Sequence, residues 1–262
     1  MRTNFYSIST TENSLLIGSL LGDACLQKRG LNSYRCRFSH SIKQKSYVHW
    51  KYEKLKKLCT TTQPPKKVIN NKKHESVEFY TSSGQYLKEY HDLFYKQTEA
   101  GNFVKKITPE LIDKLPMDPL LLAVWYMDDG NARSDCYAGR IATHSFSLEE
   151  NKLLKGYLNK WNFQCNVVKH TQKSGQYYLY LPSQGFSEFV KIIEPTVREI
   201  PDMVYKLNEV RKPFSIVTQN EVRNDFSLGT GTERQNVYTC YEGQKPVGDL
   251  MINQRINDPF LI

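Results

Sequence analysis

Two apolar segments each run into an acid followed by a small residue, Leu16 to Ala24 (LIGSLLGDA) and Leu122 to Gly130 (LAVWYMDDG), 106 residues apart. Each would place one carboxylate, Asp23 or Asp129, at the end of a helix. Taken singly, an acid closing an apolar helix is usually a solvated cap; the pairing gives it weight. Two carboxylates brought together require a cation. Hard oxygen donors without a thiol or histidine cluster favour Mg²⁺, with Mn²⁺ as its substitute. Metal ions bridging two acids and phosphate oxygens are the apparatus of in-line phosphodiester hydrolysis. Lys106 and Lys206 stand at matching stations, where a cation could stabilise charge building on a scissile phosphate. His40 and His144 are matched too, and either could position or deprotonate a water.

Positioning these groups calls for a duplicated fold. Phe38-Ser39-His40-Ser41 answers Ala142-Thr143-His144-Ser145 at an offset of 104, and Val104 to Ile107 answers Val204 to Leu207 at an offset of 100. Runs with helical apolar spacing follow each histidine, at 47–58 and 148–161. Each copy therefore reads as a helix ending at the acid, two strands, a helix, two further strands and a final helix. Strands are expected near 25–29, 34–40, 66–70 and 76–81 in the first copy, and near 132–134, 139–146, 164–170 and 176–181 in the second. Gly18 and Gly22 lie one turn apart and Ala123 is small, so the two motif helices could approach closely and release both acids at one end. The halves span 1–97 and 119–212, joined by a connector over 98–118 with a short helix around 109–115. Residues 213–262 are polar and aperiodic and read as an appendage.

Composition narrows the partners. The chain has 262 residues, a net charge of +9 and 39% hydrophobic residues, enough for a two-lobed core and a basic surface that suits a polyanion. Its six cysteines form no CxxC pair, which argues against a zinc site or a disulfide framework and for a reducing compartment. The apolar stretch at 15–21 is far shorter than the ~20 residues that span a bilayer, and no signal peptide is visible. The expectation is an intracellular protein of an organelle or of a bacterial or phage-infected cytoplasm, not secreted and without a membrane partner. Tyr126-Met127-Asp128-Asp129 reads YMDD, the tetrapeptide of reverse transcriptases, but here it follows a helical run and its counterpart LLGDA lacks the pattern.

Residues 12 to 212 resemble the LAGLIDADG homing endonucleases, whose signature ends in a small residue, the metal-binding Asp, and Gly or Ala. The second motif and Pro201-Asp202-Met203-Val204-Tyr205-Lys206-Leu207 look closest to the single-chain, intron-encoded members. The resemblance implies an α+β fold of two pseudo-symmetric αββαββα halves, with the motif helices at the interface and saddle-shaped antiparallel sheets over the major groove. It implies that Asp23 and Asp129 coordinate the metals, with Ala24 and Gly130 beside them and Asp128 as a secondary candidate. The implied reaction is a double-strand break in DNA that leaves 3′ overhangs and promotes intron mobility. Where relatives often carry Gln, this chain has His144.

Two half-sites about one turn apart give a target of roughly 20 bp. Side chains alternate along strands, so one face of each sheet can meet bases. Candidates for that face are Arg29, Tyr34, Arg35, Arg37, Lys67, Lys72 and Lys73 in the first half, and Arg133, Arg140, Lys169, Lys173 and Tyr178 in the second. The halves differ at most of these positions, so an asymmetric site is expected. Duplication supplies both acids in one chain, which makes a monomer the simplest state. The alternative is an intron maturase that binds host intron RNA on the same scaffold; a maturase alone has no need of the acids. A degenerate DNA-binding regulator would normally add a helix-turn-helix domain, which 213–262 does not resemble.

Overall fold

The computed structural model describes residues 7–69, 74–170 and 175–207, all within the unit Met1–Pro213. The expectations for Lys72, Lys73, Lys173 and the extension at 213–262 lie outside the described residues.

Two helices form the spine. Helix α1 (Thr10–Leu21) starts from a capping box in which Ser9 and Glu12 satisfy each other's backbone N–H groups. Helix α5 (Pro119–Asp129) starts from Asp118, whose side chain accepts from Leu120 N–H, with Pro119 in the first turn. Both are apolar on nearly every side and both are buried, Leu121 through Met127 without a break. They pack in parallel. Ser14 bonds to Asp118 at the start, a Cβ on Gly18 would lie 2.7 Å from the Leu121 carbonyl oxygen, and one on Gly22 would lie 2.5 Å from Asp128 Cβ. Glycine is required at both points because no side chain fits. Ala123 is fully buried, but it is Leu121 and Val124 that meet Gly18.

Each spine helix feeds a four-stranded antiparallel sheet. In the first half, β1 (Cys25–Gly30), β2 (Ser33–Ser41), β3 (Lys66–Ile69) and β4 (Glu75–Tyr80) are ordered β1-β2-β4-β3. In the second, β7 (Gly130–Ala132), β8 (Gly139–Ile141), β9 (Asn166–Lys169) and β10 (Tyr177–Leu181) are ordered β7-β8-β10-β9. Helix α2 (Lys45–Lys54) packs on β2 and β4, α6 (Leu148–Asn159) on β9 and β10, and α7 (Ser183–Arg198) on β10 and α5. The element order is the duplicated αββαββα of an α+β protein, with α3 (Lys88–Phe94) closing the first copy.

Two differences from the sequence expectations bear on the site. The connector holds a hairpin, β5 (Tyr95–Gln97) with β6 (Phe103–Lys105), before the short helix α4 (Pro109–Lys114). Strand β8 stops at Ile141, whereas the strand was expected to reach 146. Ala142 N–H turns back to the Asp129 carbonyl at 2.9 Å, and the Asn151 amide takes the carbonyls of Thr143, Phe146 and Ser147. With these carbonyls bonded locally, no ladder partner is needed.

Candidate active site

Both spine helices end at the same edge, and each acid follows or completes its last turn. A helix leaves its final carbonyls without partners, and here two lysines, Lys105 partly buried and Lys206 buried, reach the helix ends. Lys105 Nζ donates to the carbonyls of Gly22 at 2.9 Å and Ala24 at 2.6 Å. Lys206 Nζ donates to the carbonyls of Met127, of Asp128 at 3.3 Å and of Tyr126 at 3.4 Å. A cation at a helix C-terminus also meets the negative end of the dipole. Burial pulls Lys206 down to about 8 against the opposing charges of Asp128, Asp23 and Asp129. Burial lowers Lys105 as well, with Asp129 the foremost opposing charge.

Lys105 rather than Lys106 is thus the partner of Lys206. The Lys106 ammonium sits 3.8 Å from Glu150 on a half-exposed side chain, away from the acids. Successive residues leaving a strand point to opposite sides, which separates the neighbours.

Asp23 keeps 48% of its side-chain surface exposed, and beneath it lies a closed polar cluster. Its backbone N–H donates to Asp128 Oδ2 at 3.2 Å. Asp128 Oδ1 accepts from Lys51 Nζ and from Tyr47 Oη, each at 2.7 Å, and the side chains of Lys51 and Asp128 are both sealed from solvent. His40 is buried between them, with Nε2 3.1 Å from Lys51 Nζ and Nδ1 3.5 Å from Asp23 Oδ2. An ammonium can only donate, so His40 Nε2 accepts and the ring proton sits on Nδ1, facing Asp23. Burial, then the Lys51 charge, hold His40 down to about 3, so the ring is neutral. Partial desolvation, then the Asp128 charge, push Asp23 up to about 6. Burial alone would raise Asp128, but Lys51, His40 and the bonds from Lys51 and Tyr47 outweigh it and leave it lowered. His40 is therefore a buried, neutral ring whose Nε2 is held by Lys51 and whose Nδ1 faces Asp23, whereas the sequence suggested a group that positions or deprotonates a water.

His144 does not mirror His40. It leaves the turn after β8 and packs edge-on against His170, with ring centroids 4.7 Å apart, and tilted against Tyr178 at 6.0 Å. Asp129 acts electrostatically on Lys105, Lys206 and Tyr47, so the second acid faces the same corner as the first.

Asp23, His40 and Asp128 offer donor atoms within 4.8 Å of one another, a possible acidic metal site. Of these only Asp23 presents a carboxylate to solvent, since both oxygens of Asp128 and the free lone pair of His40 are taken. The carbonyls of Gly22, Ala24, Asp128 and Asp129 are likewise taken, by Lys105, Lys206 and the Ala142 N–H.

Among the described residues, the outer faces of the sheets carry most of the expected basic groups. Arg35 lies 4.0 Å over the Tyr80 ring and donates to Gln27 at 2.9 Å, and Arg37 pairs with Glu78 at 3.0 Å. Arg133 pairs with Asp135, Arg140 lies 5.4 Å over Tyr178, and Arg29 is exposed beside the β1 bulge. Tyr34 belongs to the core, stacked 4.3 Å from His91, because β2 buries Tyr34, Cys36, Phe38 and His40 in alternation. Lys67 opposes Val77 and Lys169 opposes Tyr177, so by register both lie on the helix-side face of their edge strands. Lys66, opposite Glu78, holds the outward position instead. Sequence reasoning also missed Lys51 and Tyr47. The available signal was a lysine on the buried face of α2, where Tyr47, Val48 and Lys51 line up at helical spacing. No helix among the described residues is long and apolar enough to cross a membrane.

Comparison with known proteins gives the family and the fold. Residues 13–189 match the model of the LAGLIDADG DNA endonuclease family. The chain is 32% identical over 200 residues to the cytochrome b mRNA maturase bI2 of Debaryomyces hansenii, covering 74% of this chain and 72% of that one. It is 28% identical to the DNA endonuclease I-ChuI of Chlamydomonas applanata, covering 79% of this chain and 98% of that protein. The bI2 maturase of Saccharomyces cerevisiae is also 28% identical over 79% of this chain, which spans 49% of that relative's length. The fold is similar to that of the homing endonuclease I-WcaI bound to its DNA recognition sequence, with a TM-score of 0.64, 23% identity and coverage of 78% of this chain and 88% of that one. With its paired motif helices, its duplicated sheets and a family match over both halves, the chain belongs to the LAGLIDADG DNA endonuclease family.

Proposed function

We propose that this protein is a homing endonuclease that makes a metal-dependent double-strand break in a long asymmetric DNA site of roughly 20 bp, leaving 3′ overhangs. The observation that carries the reading is the closure of two parallel helices by Asp23 and Asp129, with a lysine on the carbonyls at the end of each. Asp23 and Asp129, with Ala24 and Gly130 beside them, would hold Mg²⁺ or Mn²⁺, which when bound supplies Lewis-acid stabilisation of the phosphate and an activated water. His40 Nδ1 faces Asp23 from 3.5 Å, and Lys105 and Lys206 fix the helix ends while lending positive charge to the corner. Arg35, Arg37, Arg133 and Arg140 lie on the faces that would meet the grooves, each half with its own set. The protein acts as a monomer inside an organelle or a prokaryotic cytoplasm and promotes mobility of its host intron.

The maturase reading is favoured by the two bI2 relatives, whose names state that role. One experiment separates the two. Pure protein is incubated with fragmented genomic DNA from the source, with Mg²⁺ or EDTA, and new ends are sequenced beside an Asp129→Asn control. A recurrent Mg²⁺-dependent break that the variant lacks supports the endonuclease and yields its target. No recurrent break, with salt-dependent binding to a structured intron RNA, supports the maturase.

A further inference from the structure

Lys51 takes no part in the proposed cleavage, yet it is fully buried at the centre of the acidic corner. Its ammonium lies 2.7 Å from Asp128 Oδ1 and 3.1 Å from His40 Nε2, and His40 reaches Asp23 on its other side. These three residues are the same ones whose donor atoms come close enough to hold a divalent ion. A buried carboxylate needs a cation, and without Lys51 a metal could answer that need at this point.

We propose that Lys51 is a built-in cation that takes the place of a divalent ion among Asp23, His40 and Asp128. It commits Asp128 to the fold, fixes the His40 tautomer whose Nδ1 faces Asp23, and leaves Asp23 alone to face the cleft. Lys51 is therefore a positioning residue. The proposal concerns the protein without DNA and stands independently of its cleavage activity.

The test is Mn²⁺ binding to the full chain without DNA, by titration calorimetry and by loss of the free-ion resonance signal. Three proteins are compared: the unaltered chain, Lys51→Met, and Lys51→Met combined with Asp128→Asn. Removing the ammonium releases a carboxylate and an imidazole nitrogen for metal, so Lys51→Met should bind Mn²⁺ about tenfold more tightly or better. Its melting temperature should then rise with Mn²⁺ concentration. The double variant lacks the buried carboxylate of Asp128 along with its cation and should return to the affinity of the unaltered chain. Unchanged affinity in Lys51→Met, or a gain that persists in the double variant, overturns the proposal. Should Lys51→Met fail to fold without metal, Mn²⁺ must restore its far-ultraviolet circular dichroism; failure to do so overturns it equally.

Discussion

In the first half Asp23 stands over a buried platform of His40, Tyr47, Lys51 and Asp128, two of them delivered by α2. In the second half the corresponding helix α6 buries Leu154, Tyr157 and Leu158, with no lysine among its buried residues. Across the seam the inequality reverses: the residue before the first acid is Gly22, and the residue before the second is Asp128. Those two positions face each other so closely that only one can carry a side chain. A duplicated fold can keep one carboxylate per copy while its seam becomes complementary rather than symmetric. The lysines obey the same logic. Each motif helix is capped by one, but Lys105 comes from the connector hairpin and Lys206 from the 3-10 helix Pro201–Leu207.

The largest effects should fall on the groups the halves share. Asp23→Asn and Asp129→Asn should each lower double-strand cleavage by about 10²-fold or more, measured on the recovered target under single-turnover conditions. Unequal losses would show that the asymmetric platform reaches the chemistry. Next comes the seam. Gly22→Ala sets a methyl group against Asp128 and should cost about 3 kcal/mol in urea denaturation. Combined with Asp128→Gly, which removes the opposing Cβ, the loss should be smaller than the sum of the two single losses, and strict additivity of the two changes would refute the complementary seam.

A smaller effect has the opposite sign. Asp23 titrates near 6 in the folded protein and near 3.8 when unfolded, so the folded state binds its proton more tightly and stability falls as pH rises between those values. Asp23→Asn should therefore stabilise the protein at pH 7. Solvent at the half-exposed carboxylate limits the gain to about 1 kcal/mol, read by thermal melting. The smallest effect concerns acid. Among the described residues the buried histidines are His40 and His91, both in the first half. His91 is stacked on Tyr34 and Tyr95, and its burial lowers its proton affinity. The unfolded chain takes up a proton below the ordinary histidine value of about 6.5 while folded His91 resists it, so stability is lost as pH falls through that range. His91→Phe should flatten the acid limb of melting temperature against pH.

Much of this was legible in the chain before any coordinates. The duplication, the positions of β1 to β4, the close approach at Gly18 and Gly22 and the convergence of Asp23 and Asp129 all follow from motif spacing and strand alternation. What stayed hidden depends on single-residue parity or on distant partners. Lys105 and Lys106 are equivalent by type, and only the register of β5 with β6 sends one inward. Lys67 and Lys169 failed for the same reason, because an edge strand's face is set by pairing rather than by composition. Tyr34 looked like a contact residue but falls on the inward phase of β2. Lys51 reads as one more surface charge until Asp128, 77 positions later, is seen against it. The early end of β8 was concealed because its cause, the Asn151 side chain, lies on the next helix.

The measurement that bears most directly on the central claim uses a supercoiled plasmid carrying the recovered target, treated with Mg²⁺ and the unaltered chain, Asp23→Asn or Asp129→Asn. The account predicts linear product from the unaltered protein and none from either variant, with binding of the uncleaved plasmid retained in all three. Linear product at the unaltered rate from either variant would contradict a cleavage site built on paired acids from two unequal halves.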